Sequence, residues 1–156
     1  MKEVCDALGA EARVPRIGER ITVDGLELTF LFVPTDCSGL TNPNSLSLIF
    51  RVKSPRKTVL MTGDACPVTM QFCVDHYGEA LKSDVLQLPH HGLCDTGHGE
   101  FYRLVGADTL LIPISEAGDS AMKSGVYGEA VAANLVAEKL AKAVYPAYEG
   151  NREIEL

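Results

Sequence analysis

The sequence predicts an α/β or α+β fold in which one β-sheet carries its helices on one side. Three observations point there. Up to residue 62 the chain is a series of short alternating or apolar segments broken by turn formers, which reads as an antiparallel meander. From residue 59 onward, strand-like runs alternate with helical patterns, which reads as β–α–β units. Runs such as Thr29-Phe30-Leu31-Phe32 and Thr109-Leu110-Leu111-Ile112 are apolar on both faces. Helices cover one face of such a sheet, so the other face implies a second layer, either a missing domain or a dimer partner.

Residues 2–8 form a short helix stopped by Gly9, and residues 13–15 are extended because Pro15 disfavours the helical region before it. Residues 18–23 and 26–33 pair as a hairpin across Asp24-Gly25, a dipeptide that tolerates the positive φ a tight turn needs. Pro34 ends the second strand, and residues 35–44 (TDCSGLTNPN) are a loop. Residues 45–52 are expected as a strand, with Leu46, Leu48, Phe50 and Val52 on one face. Ser54-Pro55-Arg56 turns the chain into a strand over 57–62.

Pro67 suits a first helical turn, and Val68, Phe72, His76-Tyr77 and Leu81 continue a helical spacing to residue 82. A strand over 84–88, a helix over 100–105 ended by Gly106, and a buried strand over 108–114 follow. Residues 116–128 are Gly/Ser-rich and are expected as a loop, 129–142 as an Ala-rich amphipathic helix. Residues 143–147 and 153–156 are expected to close the chain as a hairpin turning at Glu149-Gly150-Asn151.

At 156 residues the length suits one domain, and 46% hydrophobic with 22% charged residues is a globular composition. The net charge of -7 opposes broad contact with phosphate backbones, which only a local basic patch or a bound cation would override. Met1-Lys2-Glu3-Val4-Cys5-Asp6 lacks an apolar signal core, and no window approaches the roughly 18 apolar residues of a membrane span. Cys5, Cys37, Cys66, Cys73 and Cys94 are odd in number and form no C-x-x-C pair. They read as free thiols, which places the chain in the cytoplasm.

Two motifs carry chemistry. Thr62-Gly63-Asp64-Ala65 ends one apolar run, and Leu88-Pro89-His90-His91-Gly92 ends the next. An aspartate and a histidine at neighbouring strand ends can converge above a sheet edge, a geometry of hydrolytic metal sites. Asp64 could instead be a turn residue or the N-cap of the helix at Pro67. The histidine pair could be a loop with one ring hydrogen-bonded locally.

With Asn42-Pro43-Asn44-Ser45-Leu46-Ser47-Leu48-Ile49-Phe50, these motifs and their strands (59–65 and 84–92) resemble three segments of the metallo-β-lactamase fold superfamily. The segments are N-N-S-L-V-L, L-L-T-G-D and D-V-L-K-V-P-H-H-G-S of the branch that includes ComEC-type DNA-uptake proteins and related hydrolases. The resemblance covers essentially the whole chain but only the C-terminal half of that fold. It implies a single domain over 1–156, half of an αββα sandwich, with one mixed sheet and helices on one face. It also implies a parent that is a metal-dependent hydrolase of phosphodiester or related bonds, with nucleic acid as one such substrate.

Carried over, Asp64 matches the carboxylate that bridges two metal ions, and a pair of cations about 3.5–4 Å apart activates a water. His90, directly after Pro89, best matches the late histidine ligand, and His91 is the alternative. This donor set suits zinc, with manganese second. The superfamily's main ligand motif, H-x-H-x-D-H, is absent, and Leu93 stands where serine is usual. His76 reads as a helix-surface residue and His98, between Gly97 and Gly99, as a weak candidate. Each metal of such a pair needs about three protein ligands, so no catalytic residue is assigned and turnover by this chain alone is not expected. The chain is expected to be a separately expressed C-terminal half. Its partner would be the N-terminal half or a second copy. The competing reading is a non-catalytic binding or dimerisation module with a degenerate metal site.

Overall fold

A computed structural model of the protein describes residues 2–34, 42–92, 99–124 and 140–155. Seven strands form one sheet in sequence order: β1 Arg20–Val23, β2 Leu26–Phe32, β3 Ile49–Lys53, β4 Thr58–Met61, β5 Val85–Gln87, β6 Thr109–Ile112 and β7 Ala143–Pro146. β1 to β4 pair antiparallel, and β4 to β7 pair parallel. The described helices are α1 Lys2–Leu8, α2 Pro67–Tyr77, α3 Gly99–Val105 and α4 Glu116–Lys123. The α/β class with a mixed sheet is as expected.

The β1–β2 turn forms as predicted, with φ of 49° at Asp24 and 81° at Gly25. Strand register sorts the side chains into rows. Thr29, Arg51, Leu60, Leu86, Leu110 and Val144 stand side by side on one face. Leu60, Leu86 and Leu110 meet Met70, Cys73 and Val74 of α2 and Phe101 and Val105 of α3 in the hydrophobic core. A β-bulge between Phe30 and Phe32 puts Leu31 and Phe32 both on this side. Tyr77 of α2 donates to the Leu31 carbonyl at 2.7 Å, and Phe72 meets the Phe32 ring edge-on at 5.3 Å.

The opposite face carries the rows Leu28–Val52–Val59–Val85, Phe30–Phe50–Met61 and Gln87–Leu111–Tyr145. The C-terminal tail crosses part of it. Ile154 and Arg152 line a recess of about 340 Å³ with Gln87, Leu111 and Tyr145. Arg152 lies over the Tyr145 ring, and Glu155 pairs with Arg56 in the β3–β4 turn.

Several expectations are corrected. The strand expected over 45–52 begins only at Ile49, because Pro43–Leu46 forms a 3-10 turn capped by the Asn42 side chain, which accepts from Asn44 N at 2.9 Å. The helix expected to residue 82 ends as an α-helix at Tyr77, where Gly78 takes φ 47°, and a 3-10 turn follows. Its buried face is Thr69, Met70, Cys73 and Val74, while Val68 is exposed. Residues 116–123 are helical, not a loop. Ser115 Oγ caps the helix by accepting from Gly118 N at 3.2 Å, and Asp119 pairs with Lys123 one turn on. No closing hairpin forms among the described residues: β7 lies parallel to β6, and 151–155 has no strand. Residues 129–139 of the expected last helix lie outside the described residues, and 140–142 are not helical.

Candidate metal centre

β4 and β5 are adjacent and parallel, so their C-terminal ends open on the same edge of the sheet. The two motifs are the loops leaving those ends. After β4, Ala65 N donates to Thr62 O at 3.1 Å and closes a turn through Gly63, whose φ of 56° favours glycine. Asp64 does not cap α2; Cys66 does, with Thr69 Oγ1 accepting from Cys66 N at 3.1 Å. Burial pushes the Cys66 thiol up, but hydrogen bonds from the Ser45 hydroxyl and from the Thr69 and Val68 backbone outweigh it and hold the group below its ordinary value. That thiol faces inward, and its hydrogen bonds serve the cap.

Asp64 N donates to Ser47 Oγ at 3.1 Å, which fixes the backbone that carries the carboxylate. A side chain from the neighbouring strand holds the turn itself. Gln87 Oε1 accepts from Thr62 N at 3.1 Å and Gly63 N at 2.9 Å, and Gln87 Nε2 donates to Gly63 O at 3.3 Å and Leu88 O at 3.2 Å. Thr62 Oγ1 donates to Gln87 O at 2.6 Å.

After β5, Pro89 is followed by three residues in the left-handed region: His90 at φ 48°, His91 at 58° and Gly92 at 72°. For a non-glycine residue that conformation costs about 1–3 kcal/mol and persists only where the surroundings enforce it. Here they do. His90 N donates to Gly63 O at 3.1 Å, tying this loop to the Asp64 turn, and the His91 ring is held by Pro113.

The two histidines diverge. His91 Nδ1 lies 2.6 Å from Pro113 O, and a carbonyl only accepts, so Nδ1 carries the hydrogen. Its Nε2 then faces Asp64 Oδ1 at 3.3 Å. His90 Nε2 instead lies 3.3 Å from Asn44 Nδ2, and the two imidazoles are 6.1 Å apart. The structure therefore brings His91, not His90, against Asp64. Two electron-pair donors at 3.3 Å are complementary to a proton or a cation shared between them. Ligands of a tetrahedral zinc at about 2.0–2.1 Å stand about 3.3–3.4 Å apart. A carbonyl behind the distal ring nitrogen is the usual orienting partner of a metal-binding histidine. Both side chains are partly open, 37% for His91 and 41% for Asp64, so an ion has access.

The donor set fits a metal but is short. Among the described residues no three His, Cys, Asp or Glu side chains group as a metal site. His76 is on the outer surface of α2, with Nδ1 2.9 Å from Phe72 O. His98 and Leu93 lie outside the described residues.

Sequence reasoning assigned no role to Gln87, Ser47, Asn44 or Pro113. A glutamine inside the apolar run Val85-Leu86-Gln87-Leu88 was a visible signal for the first. Asn44 and Ser47 belong to the motif over 42–50, and Pro113 acts through its carbonyl, which no residue type reveals.

No family model matches the chain, and no curated protein matches it. Among solved structures it is similar to the metallo-beta-lactamase fold protein YhfI from Bacillus subtilis, at 13% identity and a TM-score of 0.42. The alignment covers 88% of this chain and 53% of that one, so the chain spans about half the length of that structure.

Proposed function

We propose that this chain supplies one half of a metal-dependent hydrolase centre, with Asp64 and His91 as its ligands. The remaining ligands would come from a second half-fold, either an N-terminal half or another copy, packed on the open sheet face. The observation that carries this is the Asp64–His91 pair at 3.3 Å with the imidazole oriented by Pro113 O. Zinc suits the pair best and manganese second; bound there, either ion would supply a Lewis acid that activates water toward a phosphodiester or related bond. Asp64 offers a carboxylate able to span two ions. His91 offers Nε2, and His90, held near Asn44, is the alternative ligand. Free thiols at Cys5, Cys66 and Cys73 fit a reducing, cytoplasmic setting. No described helix is long and apolar enough to cross a membrane.

The test is a zinc titration of the chain followed through its histidine ring resonances. We expect weak binding that moves His91, is abolished by Asp64→Asn, and is untouched by His76→Ala. Binding indifferent to Asp64→Asn would overturn the pair. Stoichiometric zinc with hydrolytic turnover by the chain alone would overturn the half-site.

A second reading, a binding or dimerisation module with a degenerate site, is favoured by the apolar Phe30–Phe50–Met61 row on the open face. Sedimentation of the wild type against Phe50→Glu tests it. A self-association lost in the variant supports a homodimer, and a strict monomer in both counts against one.

A further inference from the structure

We infer that Gln87 is the positioning residue of this centre, its amide clamping the turn that presents Asp64 to His91. The inference rests on the reading of Asp64 and His91 as a metal pair. Gln87 is a polar residue in a three-residue strand whose other members, Val85 and Leu86, are 2% and 1% exposed. Its side chain is half-buried, and both ends of the amide are used. Oε1 takes the N–H groups of Thr62 and Gly63, and Nε2 serves the carbonyls of Gly63 and Leu88.

The amide fits one way only. Rotated by half a turn, its NH₂ would meet two N–H donors and its oxygen two carbonyls. The four partners come from both loops of the centre: Thr62 and Gly63 precede Asp64, and Leu88 leads into His90 and His91. Gly63 is the joint. Its N–H and its carbonyl are both held by Gln87, and the same carbonyl accepts from His90 N. One side chain therefore sets the spacing between the loops, and with it where the Asp64 carboxylate meets His91 Nε2.

A purely structural role would stabilise the turn without fixing the pair, and the experiment separates the two. Gln87→Met keeps the length of the side chain and removes all four hydrogen bonds. Leu111→Ala, at the strand neighbour of Gln87, serves as a control that removes packing beside the clamp and none of its four hydrogen bonds. On metal-free protein, amide exchange at Thr62 and Gly63 and the His91 ring ¹⁵N resonances are read first. The same samples are then titrated with zinc.

In Gln87→Met we expect exchange at Gly63 to quicken at least about tenfold and the His91 Nε2 resonance to move. Zinc binding should weaken about 10–100-fold, the range seen when a group orienting a ligand is removed. Leu111→Ala should leave the His91 resonance and the zinc affinity at wild-type values. Unchanged exchange and an unmoved His91 resonance in Gln87→Met would overturn the clamp, as would equal changes in Leu111→Ala. Should Gln87→Met not fold, Gln87→Glu replaces it. That variant keeps the acceptor for Thr62 and Gly63 but sets a carboxylate oxygen against two carbonyls, so the Gly63–Leu88 side alone should loosen. A wild type whose His91 ignores zinc would sink the metal reading, while exchange and the metal-free His91 resonance still decide the clamp.

Discussion

Both faces of the sheet carry apolar rows, and they differ in how fully those rows are buried. On one, Leu60, Leu86 and Leu110 are 0–1% exposed under α2 and α3. On the other, Phe30, Val59 and Val85 are buried but Leu28, Phe50, Val52, Met61 and Leu111 are only half-buried, and among the described residues its cover includes a tail without regular structure. Burial scales with the apolar area removed from water, so among the described residues the first face contributes more to holding the fold together than the second. The candidate centre lies where the sheet changes character. β4 is the strand that pairs antiparallel on one side and parallel on the other, and Asp64 follows it directly.

The largest loss is expected on the covered face. Leu86→Ala should cost about 3–5 kcal/mol in chemical denaturation, as large-to-small changes in a closed core do. Val52→Ala on the open face should cost about 1 kcal/mol, in keeping with its partial burial. Equal losses at the two positions would mean that the open face is covered in solution, by a second copy or by a partner.

Alkaline titration probes the covered face by another route. Burial pushes the Cys73 thiol from an ordinary 9.0 up to about 12. Above pH 9 the unfolded chain loses this proton while the folded chain keeps it. Stability is therefore complete below about pH 9 and falls as the pH rises toward 12, by up to about 1.4 kcal/mol per pH unit. Burial first, and then the neighbouring Cys73, also raise Tyr77, which adds to the loss at higher pH. Denaturation at pH 8 and pH 10 should show the drop, and Cys73→Ala should flatten it between pH 9 and 10.

The tail sharpens the contrast at smaller amplitude. Ile154→Ser should lower stability by about 1 kcal/mol and raise the binding of an apolar dye, because it uncovers Leu111 and Tyr145. Arg56→Ala should leave the melting temperature unchanged, since the Arg56–Glu155 pair is 66% and 83% exposed and solvent screens it.

Much of the architecture was legible because its causes are local. Asp24-Gly25 specifies its own turn through backbone preference, and Gly106 ends α3 at φ 55° for the same reason. α4 is hidden in the sequence because Gly118, Ser120 and Ser124 resemble a loop, and its helix signals, Ser115 as cap and Asp119–Lys123 as a one-turn pair, are short. The pairing of β7 with β6 is hidden for a different reason. A short apolar run followed by Glu149-Gly150-Asn151 looks the same whether its partner is the next segment or an earlier strand.

Sequence alone carries the order of β1 to β6 and of α1 to α3, and it places Asp64 and a histidine at the ends of consecutive strands. These follow from periodicity, turn residues and motif spacing, all readable within about ten residues. Tertiary structure alone decided which histidine faces Asp64 and what holds the pair. His90 and His91 are adjacent and chemically identical. They are told apart by Asn44, 46 positions before His90, and by the carbonyl of Pro113, 22 positions after His91. The clamp on the Asp64 turn likewise comes from Gln87, 24 residues from Gly63. Hydrogen bonds between such distant groups exist only once the sheet has assembled, so no local pattern could have announced them.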